Sequence, residues 1–304
     1  MPHLKRFYCY SAAIGEMIVL DQAQSNHLKN VLRLKVHSLV EVFNSRNESF
    51  IAEISSISPK CPVELKILSL ATANHSESRI PHPESPSITL ACAIAKGSRM
   101  DWLIEKSAEI GLTRLIPIIT ERTVVHPVRD RSRLWRDRSK ETQHTNYIGH
   151  QNENILSDAK SNISNGVKPD AFSSNKIARW HKLAVAAAKQ TGQNAVLAID
   201  NPIPFRQLEN IIQDFSLSLI AVPNADKYLP EVLEQDNLSE KTKILYLIGP
   251  EGDFTKAEIT TAIKWGVQPV RLPVNSILRV ETAAITMLVI LLYHFTINAS
   301  VKET

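Results

Sequence analysis

The residues best suited to chemistry lie late in the chain, in two short runs. One is Gly249-Pro250-Glu251-Gly252-Asp253 after the apolar stretch 243–248; the other is Leu278-Arg279-Val280-Glu281-Thr282, just before a long apolar segment. A chain with only 9 glycines in 304 residues places two of them in the first run, on either side of a carboxylate. Gly249 and Gly252 are expected to take positive φ and to let a ligand approach the backbone, with Pro250 stiffening the turn between them. A glycine loop before a helix commonly holds phosphate at the helix N-terminus. Here Glu251, Asp253 and Glu258 crowd that terminus and no P-loop Lys-Ser/Thr pair is present. The local charge therefore disfavours a nucleoside triphosphate or a dinucleotide, and suits a neutral or cationic small molecule held through backbone groups. In the second run Arg279 is the only long cation between Arg271 and His294, and it stands beside Glu281. Read alone, that pair is a salt bridge with Glu281 favoured by the helix dipole.

Both runs need a scaffold that brings strand exits together. From residue 87 the sequence alternates strand and helix: a buried strand 87–95, a helix opened by Ser98 and Asp101 as a capping box with Met100, Leu103, Ile104 and Ala108 on one face, and Gly111 as its stop. Strands are expected at 112–120, 195–199, 217–222, 243–248 and 269–272, and helices at 180–191, 205–214, 255–265 (capped by Thr255 and Glu258) and from about 281. Such alternation predicts an α/β fold with a mostly parallel sheet. Ligands of parallel sheets sit beyond the carboxyl ends of the strands. Three exits qualify: 219–225, 247–253 and 271–283.

The first 72 residues read differently. Short alternating strands at 17–20, 39–43, 49–57 and 62–68, with one helical turn at Ser25 to Val31, predict a small antiparallel β-barrel. Residues 73–87, with three prolines, read as a linker, and the second domain as 88–304. Residues 127–176 are polar and basic with few apolar residues, so they are expected to form a flexible insertion, either a solvated loop or an RNA-touching arm. A net charge of +4 permits nucleic acid without requiring it. The three cysteines, Cys9, Cys61 and Cys92, are far apart and suggest neither a disulfide framework nor a metal site. The N-terminus lacks the apolar core of a signal peptide, and the apolar run 283–293 is too short to span a bilayer, so the expectation is a cytoplasmic protein with no membrane partner.

Taken together, the motifs are more specific than any one of them. LIGPEGDFTKAEI and LRVETAAI, with KGSRMDWLIEKSAEIGLTRLIPIITER upstream and an N-terminal RFY then HLKNVLR, resemble the RsmE family of bacterial 16S rRNA uridine-N3 methyltransferases, of the SPOUT class. Asp253 stands where that family usually has glycine, and Lys189 and Gln193 stand where it has Glu and Arg. The resemblance implies a PUA-like N-terminal barrel, a C-terminal domain with a deep trefoil knot, a homodimer with the final helix near its interface, and S-adenosylmethionine as cofactor. It implies cofactor binding by Val222 and Pro223, by Ile248, Gly249, Pro250, Glu251 and Gly252, and by Leu272, Ile277, Leu278, Thr282 and Ala283. Arg279, always protonated, would stabilise the uridine anion, while Glu281 would orient it or accept the proton. Arg6, His27, Lys29, Asn30 and Arg33, with Lys96 and Arg122, would hold RNA of the small ribosomal subunit. Two rival readings are a phosphate-binding α/β enzyme and a ribosome-binding protein without chemistry.

Overall fold

The computed structural model describes residues 4–44, 48–58, 61–71, 86–124, 174–193, 195–235 and 242–302. The expected linker falls almost entirely outside the described residues, as does the expected insertion except for its last three positions, which already belong to a helix.

The N-terminal sheet contains β1 (Arg6–Tyr8), β2 (Met17–Val19), β3 (Leu39–Phe43), β4 (Ser49–Ser56) and β5 (Glu64–Leu70), in the order β1-β3-β4-β5-β2. Alternation along the strands turns Val40, Val42, Ala52, Ile54, Leu65 and Ile67 inward, all buried. The expected antiparallel barrel takes the form of an open half-barrel: β1 and β2 are its edges, β1 pairs with β3 in parallel, and register shifts at Ile51/Ala52 and Ile54/Ser56 bend β4. The single helical turn expected at Ser25 to Val31 is a helix and a half. α1 (Gln22–Asn26) is capped by Asp21, whose side chain accepts from the Gln24 N–H at 2.8 Å, and it runs into a π-helical turn, His27–Leu32.

The second sheet orders its strands β12-β10-β11-β6-β7-β8: β6 (Ser87–Ala93), β7 (Arg114–Ile119), β8 (Ala198–Ile199), β10 (Leu217–Ala221), β11 (Lys243–Ile248) and β12 (Gln268–Val270), with β9 (Ile203–Pro204) on β7. Every pairing in it is parallel. Both faces are covered, so the strands are apolar throughout rather than alternating. On one face Ile88, Leu90, Ile244, Tyr246 and Ile248 pack against α2 (Arg99–Ile110), α3 (Ser174–Thr191), α5 (Leu229–Gln235) and α7 (Val280–Lys302). On the other, Ala91, Ala93, Leu245 and Leu247 meet a 3-10 turn at Phe205–Leu208, α4 (Glu209–Ile212) and α6 (Lys256–Lys264).

Several local expectations are revised. Ser98 is itself helical and makes no side-chain cap, so the capping box expected with Asp101 does not form; Gly111, at φ 113°, does end α2. The strand expected at 195–199 shortens to two residues. The helix expected at 205–214 starts as 3-10. α5 was not anticipated, although Leu229, Val232 and Leu233 carry a helical period and are all buried.

Candidate functional site

Because β10, β11 and β12 are neighbours and parallel, their carboxyl ends lie at one edge of the sheet. The chain leaves that edge three times, and the three exits line a single cavity of about 540 Å³. The β10 exit contributes Ala221, Val222, Pro223 and Asn224; the β11 exit Ile248, Gly249, Pro250, Glu251 and Asp253; the β12 exit Arg271, Leu272 and residues 274–280, followed by Ala283. The structure thus brings together Val222, Pro223, Ile248, Gly249, Pro250, Glu251, Leu272, Ile277, Leu278, Ala283 and Arg279. Gly252 and Thr282 do not line the cavity, and neither does Glu281.

The β11 exit is a tight turn, closed by the Asp253 N–H donating to Pro250 O at 2.9 Å. Thr255 and Glu258 then form the expected capping box of α6, the Thr255 N–H donating to Glu258 Oε2 at 2.9 Å and Thr255 Oγ1 accepting from the Glu258 N–H at 3.2 Å. The expected positive φ at Gly249 and Gly252 is absent. Asp253 carries it instead, at 61°, and this is why a glycine would serve equally at that position. Gly249 is needed for space: a Cβ there would stand 3.0 Å from Phe254 Cδ2 and 3.1 Å from its backbone N. A Cβ on Gly252 would meet only Arg122, at 3.5 Å.

Around this turn lie groups that sequence reasoning missed. Arg99 Nη1 donates to Glu251 Oε1 at 3.1 Å, and its Nε lies 3.9 Å from Glu281 Oε1. Glu281 is 8% exposed, so the pair expected with Arg279 is replaced by one with Arg99, while Arg279 stays exposed at the cavity wall. The reason is topological: β6 neighbours β11, so the start of α2 reaches the same edge. Beneath both carboxylates, burial pushes the Cys92 thiol upward, aided by Glu251 and Glu281. Burial likewise raises the Asp253 carboxyl, against the Phe254 N–H and Arg122, which lower it. Arg271 stacks on Tyr228, 3.8 Å from the ring centroid, and lines the cavity.

The expected RNA-holding residues divide. His27, Asn30 and Arg33 are exposed on the N-terminal half-barrel. Lys96 is exposed at the site edge, its N–H donating to Glu251 Oε1 at 3.3 Å, and Arg122 is exposed with Nη1 donating to Gly252 O at 2.7 Å. Lys29 is turned inward, with Nζ donating to Ser58 O and Cys61 O. Arg6 is corrected outright. Its side chain is only 8% exposed and it donates to Ala188 O at 3.2 Å and Gln193 O at 3.1 Å, so it joins the two halves of the molecule instead of lying on an open surface. Its location on an edge strand hid this, since only the packing of α3 against β1 reveals it.

Residues 83–143 and 160–292 match the family described as "RNA methyltransferase domain", and residues 20–68 the "RNA methyltransferase PUA domain". A ribosomal RNA small subunit methyltransferase E of Buchnera aphidicola subsp. Schizaphis graminum is 27% identical over 292 residues, spanning 94% of each chain. Among solved structures, a putative methyltransferase of Legionella pneumophila in complex with the bound cofactor SAM superposes with a TM-score of 0.68 at 25% identity, over 95% of this chain and 96% of that one. A ribosomal RNA small subunit methyltransferase E of Neisseria gonorrhoeae bound to S-adenosyl methionine gives 0.69 at 24% identity, over 96% and 98%.

Proposed function

Because the chain belongs to the RsmE family of RNA methyltransferases, we propose that it moves a methyl group from S-adenosylmethionine to N3 of one uridine in the 16S rRNA of the small ribosomal subunit. The observation that carries this reading is the convergence of three neighbouring strand exits on one cavity.

The residues present fit the cofactor. About 540 Å³ is the size of a small-molecule site, and the wall combines apolar Ile248, Leu272 and Leu278 with backbone groups of the β11 turn. Glu251 and Asp253 supply negative charge toward a sulphonium or an ammonium. When bound, S-adenosylmethionine supplies an activated methyl group. Val222, Pro223, Gly249, Pro250, Leu272, Ile277, Leu278 and Ala283 would hold it. Ile277, 95% exposed, gains an apolar partner on binding.

Arg279 is a fixed cation at an exposed edge of this wall, placed to face the negative charge that develops on a uracil whose N3 proton is leaving. Glu281 acts behind it. Its burial and its Arg99 neighbour suit holding the start of α7 better than taking up a proton. A uridine must offer N3 unpaired, so the target is splayed out of its helix. Exposed Arg33, His27 and Asn30 on the half-barrel, with Lys96 beside the cavity, would hold the surrounding RNA. We further propose the domain division 1–72, 73–87 and 88–304, the family's trefoil knot in the second domain, and a cytoplasmic homodimer. Val289 and Tyr293, exposed one turn apart on α7, support a partner for that helix.

Mass mapping of 16S rRNA treated with the purified protein and isotope-labelled S-adenosylmethionine tests this. One labelled 3-methyluridine is expected, and label on another base or on ribose would refute it. In the same assay Arg279→Ala should lose at least about 100-fold in rate with cofactor affinity retained, and near-normal turnover would remove Arg279 from the mechanism.

A further inference from the structure

We propose that Arg271 is the cation that receives the carboxylate of the cofactor's amino-acid tail, an inference that rests on S-adenosylmethionine being the ligand of this cavity. Arg271 is the first residue after β12, and its backbone is pinned on both sides. Its N–H donates to Lys227 O at 3.0 Å, and its C=O accepts from the Leu229 N–H at 2.9 Å. Its guanidinium carbon lies 3.8 Å from the Tyr228 ring centroid. A guanidinium stacked in this way uses its π face, and the ring fixes the plane in which its N–H groups donate.

Arg271 Nε is buried and has no acceptor among the described residues. Other arginines near the sheet are engaged: Arg114 with Asp200 at 2.6 Å, Arg99 with Glu251 and Arg122 with Gly252 O. A buried charged donor left without an acceptor is costly, so an anionic oxygen arriving at Arg271 is strongly favoured. Arg271 lines the cavity, so such an oxygen can come from the ligand there.

The sheet order gives the cavity two poles. β10 lies between β11 and β12, so the β11 exit with Glu251 and Asp253 forms one side of the cavity and the β12 exit with Arg271 the other. A zwitterionic ligand matches this arrangement, its cations toward the β11 turn and its carboxylate toward Arg271. A nucleoside without an amino-acid tail would leave the Arg271 side unmatched.

Calorimetric titration of the full chain with S-adenosylmethionine, its decarboxylated analogue and 5′-methylthioadenosine tests this. The unmodified protein should bind S-adenosylmethionine roughly 10- to 100-fold more tightly than the decarboxylated analogue. Arg271→Gln should erase that difference while leaving affinity for the other two ligands unchanged, and Arg271→Lys should keep part of it. A preserved difference in Arg271→Gln, including one accompanied by weakened rRNA binding, would overturn the proposal. So would an equal weakening of all three ligands, which would mark Arg271 as a support for the cavity's shape. If the unmodified protein bound none of the three, the reading of the cavity itself would fall and this assignment with it.

Discussion

Asp253 sits in the left-handed region at φ 61°, where most side chains cost about 1 kcal/mol or more. Its carboxylate offsets part of this by accepting from the Phe254 N–H at 2.7 Å. Asp253→Gly should therefore change stability by less than about 1 kcal/mol, whereas Asp253→Val, branched at Cβ, should lose roughly 2 kcal/mol in urea denaturation. The two glycines of the turn should behave differently from each other. Gly249→Ala forces Phe254, buried against Phe205, to move, and should cost roughly 1–3 kcal/mol and weaken cofactor binding. Gly252→Ala meets only ordinary contact with Arg122 and should stay within about 0.5 kcal/mol of the parent. Equal losses at the two positions would contradict the geometry. The cavity-lining residues of the β11 turn were legible in the sequence because Gly, Pro and acidic residues advertise a turn directly. The division of labour inside it was not legible, since spacing alone cannot tell a glycine chosen for φ from one chosen for room.

At the scale of elements, the site is an edge effect of parallel strands. Five strands, β6, β7, β10, β11 and β12, deliver their carboxyl ends to one side, so Arg99 after β6 and Arg122 after β7 both reach the β11 turn. Strand-helix alternation made the three exits that line the cavity foreseeable. Arg99 was not foreseeable, because its partners Glu251 and Glu281 lie 152 and 182 residues away, and only the order of strands makes them neighbours. α5 escaped notice because its seven residues are too few for a period to stand out. The Arg99–Glu251 contact is partly exposed and worth little by itself. The greater effect lies at Glu281, a buried carboxylate whose charge Arg99 faces. Arg99→Ala should cost roughly 2 kcal/mol, and Glu281→Gln in the same chain should recover most of it in a denaturation double-mutant cycle. Simple additivity of the two changes would show that the groups do not interact.

For the whole molecule, the contact between half-barrel and parallel sheet rests on α3. Arg6 donates to Ala188 O in α3 and to Gln193 O after it, and Lys189 donates to Gln24 Oε1. Two cations, Arg6 and Lys189, therefore meet at one seam. Burial lowers the Lys189 ammonium to about 8 from an ordinary 10.5, Asp21 opposing the shift and Arg6 adding to it. The unfolded chain holds that proton more tightly than the folded one, so unfolding takes up a proton between pH 8 and 10.5 and stability gains as pH climbs through that window. Lys189→Met should remove the gain: it should be relatively more stable than the parent at pH 7, with the advantage shrinking toward pH 10. An advantage that does not vary with pH would contradict the assignment. The two-sheet architecture was readable from the change in periodicity near residue 72. The seam was not, because it is made by side chains from elements whose docking no local pattern encodes.

The proposed activity requires above all that the three strand exits form a pocket for a methyl-bearing sulphonium rather than for a polyphosphate. Calorimetry of the full chain against S-adenosylmethionine, ATP and NAD tests that most directly. Saturable one-site binding of S-adenosylmethionine, weakened by Gly249→Ala and with no measurable heat from ATP or NAD, is the expected result. Binding of ATP or NAD in its place, competed by inorganic phosphate, would contradict it.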